Sequence, residues 1–162
     1  MVWGAIGWNF KSPLIFLRPD EGCRGITAKA YVRQVLEGYL SYAYPLRRMV
    51  DPRVFLVEDN APVHGKKGLR TLANIARRDL DILSINWPPG SPDMNIIENV
   101  WRMIKQRIRK RKWKGGWVLE DLMRAVKEEW EAITFEDYKK YIEEMPERVL
   151  ELRQRRGGQT RY

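Results

Sequence analysis

The chain has one cysteine, Cys23, and one histidine, His64, among its 162 residues. A single cysteine excludes a disulfide scaffold, and the Cys/His spacing typical of a zinc site is absent. We interpret His64 as a lone surface or helix-start residue rather than a metal ligand or general base. No run approaches the ~18 apolar residues of a membrane span, and the first residues lack the basic segment of a signal peptide. The sequence therefore predicts a protein that is neither membrane-embedded nor secreted.

Acidic residues are scarce relative to basic ones, and the excess is localised. The chain carries 30 Lys and Arg against 21 Asp and Glu, a net charge of +9. Residues 102–114 hold eight basic and no acidic side chains, whereas residues 115–151 hold eleven acidic ones. A basic block followed by an acidic helical stretch is typical of an element that faces a polyanion. Nucleic acid is the leading class of partner.

The first half of the chain shows the patterns of an α/β fold. Aromatic and β-branched runs at residues 2–8 and 13–17, separated by residues 9–12, predict a β-hairpin. Thr27 is a predicted N-cap, because apolar residues follow it at helical spacing. A buried strand at 53–57, a helix and a strand at 81–85 then come in the order typical of a parallel βαβ pair.

The second half reads as mostly helical. The proline-rich residues 87–92 predict an ordered loop, and a helix follows with apolar residues from Ile96 to Ile108. Further helices are predicted at 119–130 and after a capping box at 134–137, with a restart at Met145-Pro146. The basic tail at 153–162 is predicted to be mobile.

Two acidic residues lie where chemistry is expected. Asp59 follows the end of a predicted strand, the position at which open α/β sheets place ligand-binding groups, and Glu98 lies in the first turns of a helix. Brought together, their carboxylates could hold a hard divalent cation. Each also has a structural alternative, an Asx turn at Asp59 and a capping box between Asn95 and Glu98, and spacing alone favours these alternatives.

The basic block is the second candidate site. Eight cationic side chains in 13 residues, interleaved with Trp101 and Trp113, exceed what solubility requires. Phosphate contact is therefore favoured over a solvated face, and a nuclear localisation signal is the third interpretation. The residues predicted to bind nucleic acid are Arg102, Lys105, Arg109, Lys110, Arg111 and Lys112.

Four motifs, taken together, resemble the catalytic domain of Tc/mariner transposases. They are MVWGAI at residues 1–6, VEDNAPVH at 57–64, WPPGSPDMNIIENVW at 87–101 and GGQTRY at 157–162. Each is weak alone, but four in order from the first residue to the last are specific. The resemblance departs at Ile96, where many members have proline, and in a somewhat longer gap between Asp59 and Glu98.

The resemblance implies a ribonuclease-H-like fold in which two Asp and a third Asp or Glu hold two divalent metals. It makes Asp59 the second catalytic acid and metal ligand and Glu98 the third, with Mg²⁺, or Mn²⁺, as the ion. Such metals activate water or a DNA 3′-hydroxyl for in-line attack on a phosphodiester. We therefore expect Asp59 and Glu98 to converge.

The family's first Asp lies on a strand upstream of the Val-Trp-Gly segment. We therefore expect a mixed sheet lacking its first strand, a catalytic domain at residues 1–114 and a C-terminal helical extension with a basic tail at 115–162. With two acids the metal would be held weakly, and this chain by itself is expected to be inactive. The alternative is a non-catalytic nucleic-acid-binding remnant or a co-opted DNA-binding module.

The expected partner is DNA rather than a membrane. A missing first strand would leave one sheet edge unpaired, which favours self-association. A homo-oligomer is therefore a further expectation. A protein acting on DNA is expected in the nucleus, or in the cytoplasm and nucleoid, depending on the host.

Overall fold

The computed structural model describes residues 1–65, 70–88, 90–113, 118–158 and 160–161. These residues belong to two compact units. The first unit is residues 1–3 and 15–90, and the second unit is residues 4–14 and 91–162. The predicted boundary after residue 114 falls among residues outside the described ranges and stays a prediction. Within the described ranges, no helix combines the length and the apolar character needed to cross a membrane.

Short strands come first along the chain and helices follow. The strands are β1 (Val2–Trp3), β2 (Ile6–Gly7), β3 (Phe10–Lys11) and β4 (Ile15–Phe16). The α-helices are α1 (Ala28–Tyr31), α2 (Ser41–Val50), α3 (Leu72–Asp79), α4 (Ile97–Lys110), α5 (Leu119–Ala132), α6 (Phe135–Glu143) and α7 (Met145–Gln154). A π-helical segment (Val32–Leu40) joins α1 to α2, and 3₁₀ turns cover Pro62–His64 and Pro92–Met94.

The predicted hairpin at the start of the chain is confirmed as two antiparallel ladders. In the first unit β1 pairs with β4, and in the second unit β2 pairs with β3. The predicted connection at 9–12 is wrong in length, since Phe10 and Lys11 are strand residues and the turn is Trp8-Asn9. Asn9 has a φ of 48°, which asparagine tolerates better than most residues because its side chain can bond locally.

The helix predicted from Thr27 is confirmed and runs through the π-helical segment and α2. The Thr27 hydroxyl oxygen accepts a hydrogen bond from the Ala30 N–H at 3.0 Å. Tyr31, Val35 and Leu36 are fully buried, as the apolar spacing predicts. The helix α3 and the 3₁₀ turn Pro62–His64 pack against this helical stretch.

The predicted βαβ unit is present, but its strands are reduced to a single parallel bridge between Leu56 and Ser84. The Leu56 N–H donates to Leu83 O at 2.8 Å, and the Ile85 N–H donates to Leu56 O at 3.1 Å. The prediction that residues 53–57 form a buried strand is wrong, since Phe55 remains 50% exposed. A single bridge pairs only one residue from each segment, so neighbouring side chains such as Phe55 stay exposed to solvent.

The core of the second unit lies between α4, α5 and α6. Val100, Ile104 and Ile108 recur at four-residue spacing and pack on Trp130 and Tyr138. Residues 4–14 also pack on this core through Ile6 and Leu14. The Trp130 indole N–H donates to Ser12 O at 2.9 Å. The Lys11 ammonium donates to Trp130 O at 2.6 Å and to two further carbonyls at the C-terminus of α5. A lysine is favourable there, because the C-terminus of a helix carries exposed carbonyls and a partial negative charge.

The remaining helix boundaries follow the sequence signals. The capping box of Thr134 and Asp137 is formed at the start of α6, and α7 begins at Met145. The prediction that residues 153–162 are mobile is wrong at Thr160, which is 6% exposed and bonded to Asp93. Composition indicates a solvated tail, but a buried carboxylate offers this threonine a partner.

Gly4 packs so closely on Trp130 that its replacement by alanine should destabilise the protein. A Cβ at Gly4 would lie 2.7 Å from the Trp130 ring, and Trp130 is 1% exposed and cannot move aside cheaply. We expect Gly4→Ala to lower the free energy of unfolding by about 1–3 kcal/mol in urea denaturation. Gly7→Ala is the control, because a Cβ there meets only ordinary contacts of 3.8 Å or more. Equal losses in the two variants would contradict this packing argument.

Candidate active site

Asp59 lies at the surface in the loop that follows the parallel bridge. Its side chain is 58% exposed, and its Oδ1 accepts a hydrogen bond from the Ala61 N–H at 3.0 Å. The Asx turn that spacing favours is therefore formed. The same Oδ1 lies 2.7 Å from His64 Nδ1, so the one histidine, at the end of a 3₁₀ turn, orients this carboxylate.

A buried ion pair lies beneath this loop. The Arg77 guanidinium donates to Glu58 Oε2 from Nη2 at 2.6 Å and from Nε at 3.0 Å. Both side chains are about 5% exposed or less. The Tyr31 hydroxyl donates to the other Glu58 oxygen, and burial, followed by the Glu58 charge, raises the pKa of Tyr31 well above its ordinary value.

Arg77 ties this ion pair to the loop itself. Its Nη2 also donates to His64 O at 2.8 Å, and the Tyr31 and His64 rings lie 4.7 Å apart. Sequence reasoning missed Glu58 and Arg77. Alternation along residues 57–59 could have indicated that Glu58 points opposite to Asp59, but nothing local identifies Arg77, 19 residues later, as its partner.

Glu98 lies in the first turn of α4. The capping box between Asn95 and Glu98 is not formed, because the N-cap is Ile96 and no side chain in the described part of the chain caps the helix. Only the Glu98 N–H bonds to Asn95, donating to its carbonyl at 3.0 Å. Within the described residues, the Glu98 carboxylate has no hydrogen bond or ion pair and remains available to a ligand.

A groove along α4 places Glu98 beside basic residues. Glu98, Arg102, Lys105 and Arg109 follow one another at spacings of four, three and four, so they share one helix face and line the groove. Lys110 and Lys112 are also exposed. Lys114 of the basic block lies outside the described residues.

Arg111 is placed differently from the other predicted nucleic-acid contacts. Its Nη1 lies 2.6 Å from Glu128 Oε2, and its Nη2 lies 2.5 Å from Glu129 Oε1, both on α5. Arg107 faces the same side, 3.5 Å from Asp137. The acidic stretch after the basic block is therefore partly its ion-pair partner.

Asp93, at the rim of the groove, is a buried acid that sequence reasoning missed. Its Oδ2 accepts hydrogen bonds from the Thr160 N–H at 2.8 Å and the Thr160 hydroxyl at 2.5 Å. Burial acts to raise the pKa of the Asp93 carboxyl, but these bonds and backbone N–H donors hold it below its ordinary value. Asp93 is therefore an anchoring acid that is already committed to Thr160.

The two candidate acids belong to different compact units, Asp59 to the first and Glu98 to the second. Each is described within its own unit, and their convergence stays a prediction. Across the described ranges, no three His, Cys, Asp or Glu side chains cluster as a metal site. The donors nevertheless fit a hard cation, since neither carboxylate is paired with a lysine or arginine of the described residues.

A comparison with protein families matches residues 3–116 to the DDE superfamily endonuclease family. The match covers well over half of the chain and includes both candidate acids. The chain belongs to the DDE superfamily of endonucleases. The ribonuclease-H-like α/β fold expected from the sequence is confirmed by its similarity to a solved structure. That structure, of the Mos1 transposase catalytic domain and Raltegravir with Mg, has a TM-score of 0.73 at 20% identity, covering 98% of this chain and 75% of that one.

Transposases of nematode elements are among the curated relatives of this chain. This chain is 28% identical over its whole length to the Tcb2 transposase of Caenorhabditis briggsae and 27% identical to the Tc3 transposase of Caenorhabditis elegans. The alignments cover 54% and 45% of those proteins, so the chain spans about half of their length. The Tc/mariner resemblance is confirmed.

The buried ion pair beneath Asp59 leads to a prediction about stability. Arg77→Met removes the cation that offsets the buried Glu58 charge, and we expect a loss of about 3–5 kcal/mol in the free energy of unfolding. Arg78→Met is the matched control, since Arg78 is a neighbour on α3 with only an exposed ion pair, and should cost under about 1 kcal/mol. Urea denaturation measures both. Glu58→Gln combined with Arg77→Met should recover part of the loss, and an additive double variant would contradict the coupling.

Proposed function

We propose that this chain belongs to a transposase catalytic domain that cleaves and joins DNA strands with divalent metal ions. The observation that carries the proposal is the family match over residues 3–116, a range that holds Asp59, exposed just after the parallel bridge, and Glu98 in the first turn of α4. The relatives' own names, all transposases, support it.

In this proposal Asp59 and Glu98 converge and hold the metal. Mg²⁺ or Mn²⁺ would supply activation of the attacking oxygen and stabilisation of the leaving one. The chain's own contribution is orientation. His64 and the Ala61 N–H fix Asp59 Oδ1, and the Arg77–Glu58 pair fixes the loop beneath it. Glu98 is presented by the first turn of a 14-residue helix whose opposite face is buried in the core of the second unit.

The groove face of α4 is proposed to bind the DNA backbone next to this acid. Arg102, Lys105 and Arg109 share the face of Glu98, so phosphates lying along the groove would lead toward it. Lys110 and Lys112 extend the exposed charge, whereas Arg111, already paired with Glu128 and Glu129, is expected to contribute least. A protein that acts this way on DNA would work in the nucleus, or in the nucleoid of a cell without one.

A non-catalytic DNA-binding module is the second candidate. The exposed cationic face of α4 favours it, because backbone binding by Arg102, Lys105 and Arg109 requires no metal. Metal binding that depends on both acids distinguishes the two candidates, and DNA binding alone does not. Self-association stays a prediction that sedimentation equilibrium would test.

Metal binding is the first test of the catalytic proposal. We expect Mn²⁺, followed by electron paramagnetic resonance, to bind the chain and to lose at least ~10-fold in affinity in both Asp59→Asn and Glu98→Gln, because each variant removes a charged oxygen ligand. Glu120→Gln is the matched control, an exposed glutamate in the first turn of α5. If Glu98→Gln binds Mn²⁺ as the parent does, the shared site does not exist.

The 162-residue chain by itself is expected not to nick supercoiled plasmid in Mg²⁺ or Mn²⁺. The family resemblance assigns the first acid to a strand before Val2-Trp3, and two carboxylates offset the repulsion between two ions poorly. Agarose electrophoresis of the plasmid measures nicking. Nicking by the parent that Asp59→Asn and Glu98→Gln both abolish would show that two acids suffice.

DNA binding should depend on the groove face of α4. Replacing Arg102, Lys105 and Arg109 by alanine should make the slope of log affinity against log salt about 2–3 shallower, because each lost phosphate contact releases one counterion fewer. The control removes equal charge elsewhere, with Arg124, Lys127 and Lys139 replaced on α5 and α6. Fluorescence anisotropy with a random duplex measures the slope, and equal changes in both triple variants would indicate a diffuse charge effect.

A further inference from the structure

The segment at Thr160 is bonded to the loop that leads into α4. Thr160 donates to Asp93 Oδ2 from both its N–H and its hydroxyl, at 2.8 and 2.5 Å. The two residues are 67 positions apart and both are buried, at 6% and 9% exposure. Hydrogen bonds to a buried ionised carboxylate are among the stronger ones in proteins. This contact therefore holds the 3₁₀ turn Pro92–Met94 through the Asp93 side chain.

Arg148 of α7 also holds this turn, through the Asp93 backbone carbonyl. Its Nη1 donates to Asp93 O at 2.7 Å and to Asn99 Oδ1 at 3.3 Å, and its side chain is 1% exposed. Its Nη2 pairs with Glu144 at 3.0 Å, which offsets the buried charge. One guanidinium thus joins the turn to the first turn of α4.

These contacts bracket Glu98 in the sequence. Asp93 precedes it by five residues and Asn99 follows it directly, and both are anchored while the Glu98 carboxylate is unbonded within the described part of the chain. No side chain of the described residues caps α4, so the local support of the helix start is limited to backbone hydrogen bonds. The side chains that anchor it come from far along the chain.

A second contact keeps the Thr160 segment against α7. The Glu151 carboxylate accepts a hydrogen bond from the Arg161 N–H at 3.3 Å and pairs with the Arg161 and Arg155 guanidinium groups at 3.5 and 2.7 Å. The segment is therefore attached to the helix that also carries Arg148.

We propose that Thr160 and Arg148 are positioning residues that clamp the Asp93 turn and thereby hold Glu98 at the start of α4. Neither touches the reacting atoms. The proposal rests on the proposed function only in what Glu98 does, since the clamp itself is a property of the second unit. A segment that composition marks as a solvated basic tail becomes part of the candidate active site.

Amide hydrogen exchange tests the clamp without any metal. The Asn95, Glu98 and Asn99 N–H groups donate within this segment at 3.0–3.1 Å, so their protection reports its opening. We expect Thr160→Val to lower their protection roughly tenfold, the effect of losing one hydrogen bond to a charged group. Thr160→Ser keeps the hydroxyl and should restore the parent's rates.

The chain offers a matched control in the same unit. The Thr134 N–H and hydroxyl both donate to Asp137 Oδ2, at 2.7 and 2.8 Å, which reproduces the Thr160–Asp93 chemistry at the start of α6. Thr134→Val should destabilise the unit and leave the protection of residues 95–99 at the parent's value after correction for global stability. Equal losses in the two valine variants would overturn the clamp, because stability alone would then explain them.

Mn²⁺ affinity is the second readout and concerns Glu98 itself. We expect Thr160→Val to weaken Mn²⁺ binding about tenfold or more, as loss of an outer-shell support does, and Thr134→Val to leave it unchanged. Faster exchange in Thr160→Val with unaltered Mn²⁺ affinity would overturn the positioning role. A parent that binds no Mn²⁺ would overturn the proposed function instead, and the clamp would then be judged by exchange alone.

Discussion

A carboxylate removed from water needs a cation or several hydrogen-bond donors, and the Glu58–Arg77 pair meets that requirement beneath the loop that carries Asp59. Arg77 can do so while also holding His64 O and Asn74, because its planar guanidinium carries five donors. The adjacent Asp59 is then free to stay at the surface with one oxygen fixed. Because Arg77 pairs with the buried Glu58, the carboxylate of the exposed Asp59 remains available to a ligand.

The second unit applies the same principle with different groups. Asp93 is buried and receives the Thr160 donors, whereas Glu98, five residues later, keeps an unbonded carboxylate within the described residues. In each unit an inward-facing acid anchors the backbone and a neighbouring acid faces outward. For a metal-binding function this division is useful, because a ligand must be positioned without being neutralised by a protein cation.

The cationic residues of the basic block look equivalent in the sequence, but helix geometry places some in ion pairs and others in the groove. Arg107 on α4 and Arg111 just after its end pair with acids on α5 and α6, and these ion pairs help to join the helices. Residues a quarter-turn or more away, including Arg102 and Lys105, face the groove beside Glu98. Net charge therefore overstates the number of cations available to a polyanion, and only the groove face and the exposed end of the helix retain that capacity.

Local patterns determined much of this protein from the sequence alone. The turn of the hairpin, the Thr27 cap, the capping box at Thr134 and the helix at α4 rest on neighbours within a few residues, where propensity and hydrogen bonding decide. The parallel order of residues 56 and 84 follows from the strand–helix–strand sequence between them. The four motifs likewise identified the DDE family and the two candidate acids. What only the tertiary structure decided are the long-range partnerships, namely Glu58 with Arg77, Arg111 with Glu128 and Glu129, and Asp93 with Thr160 and Arg148. No local pattern predicts which buried charge meets which donor, because that choice depends on chain segments that folding alone brings together.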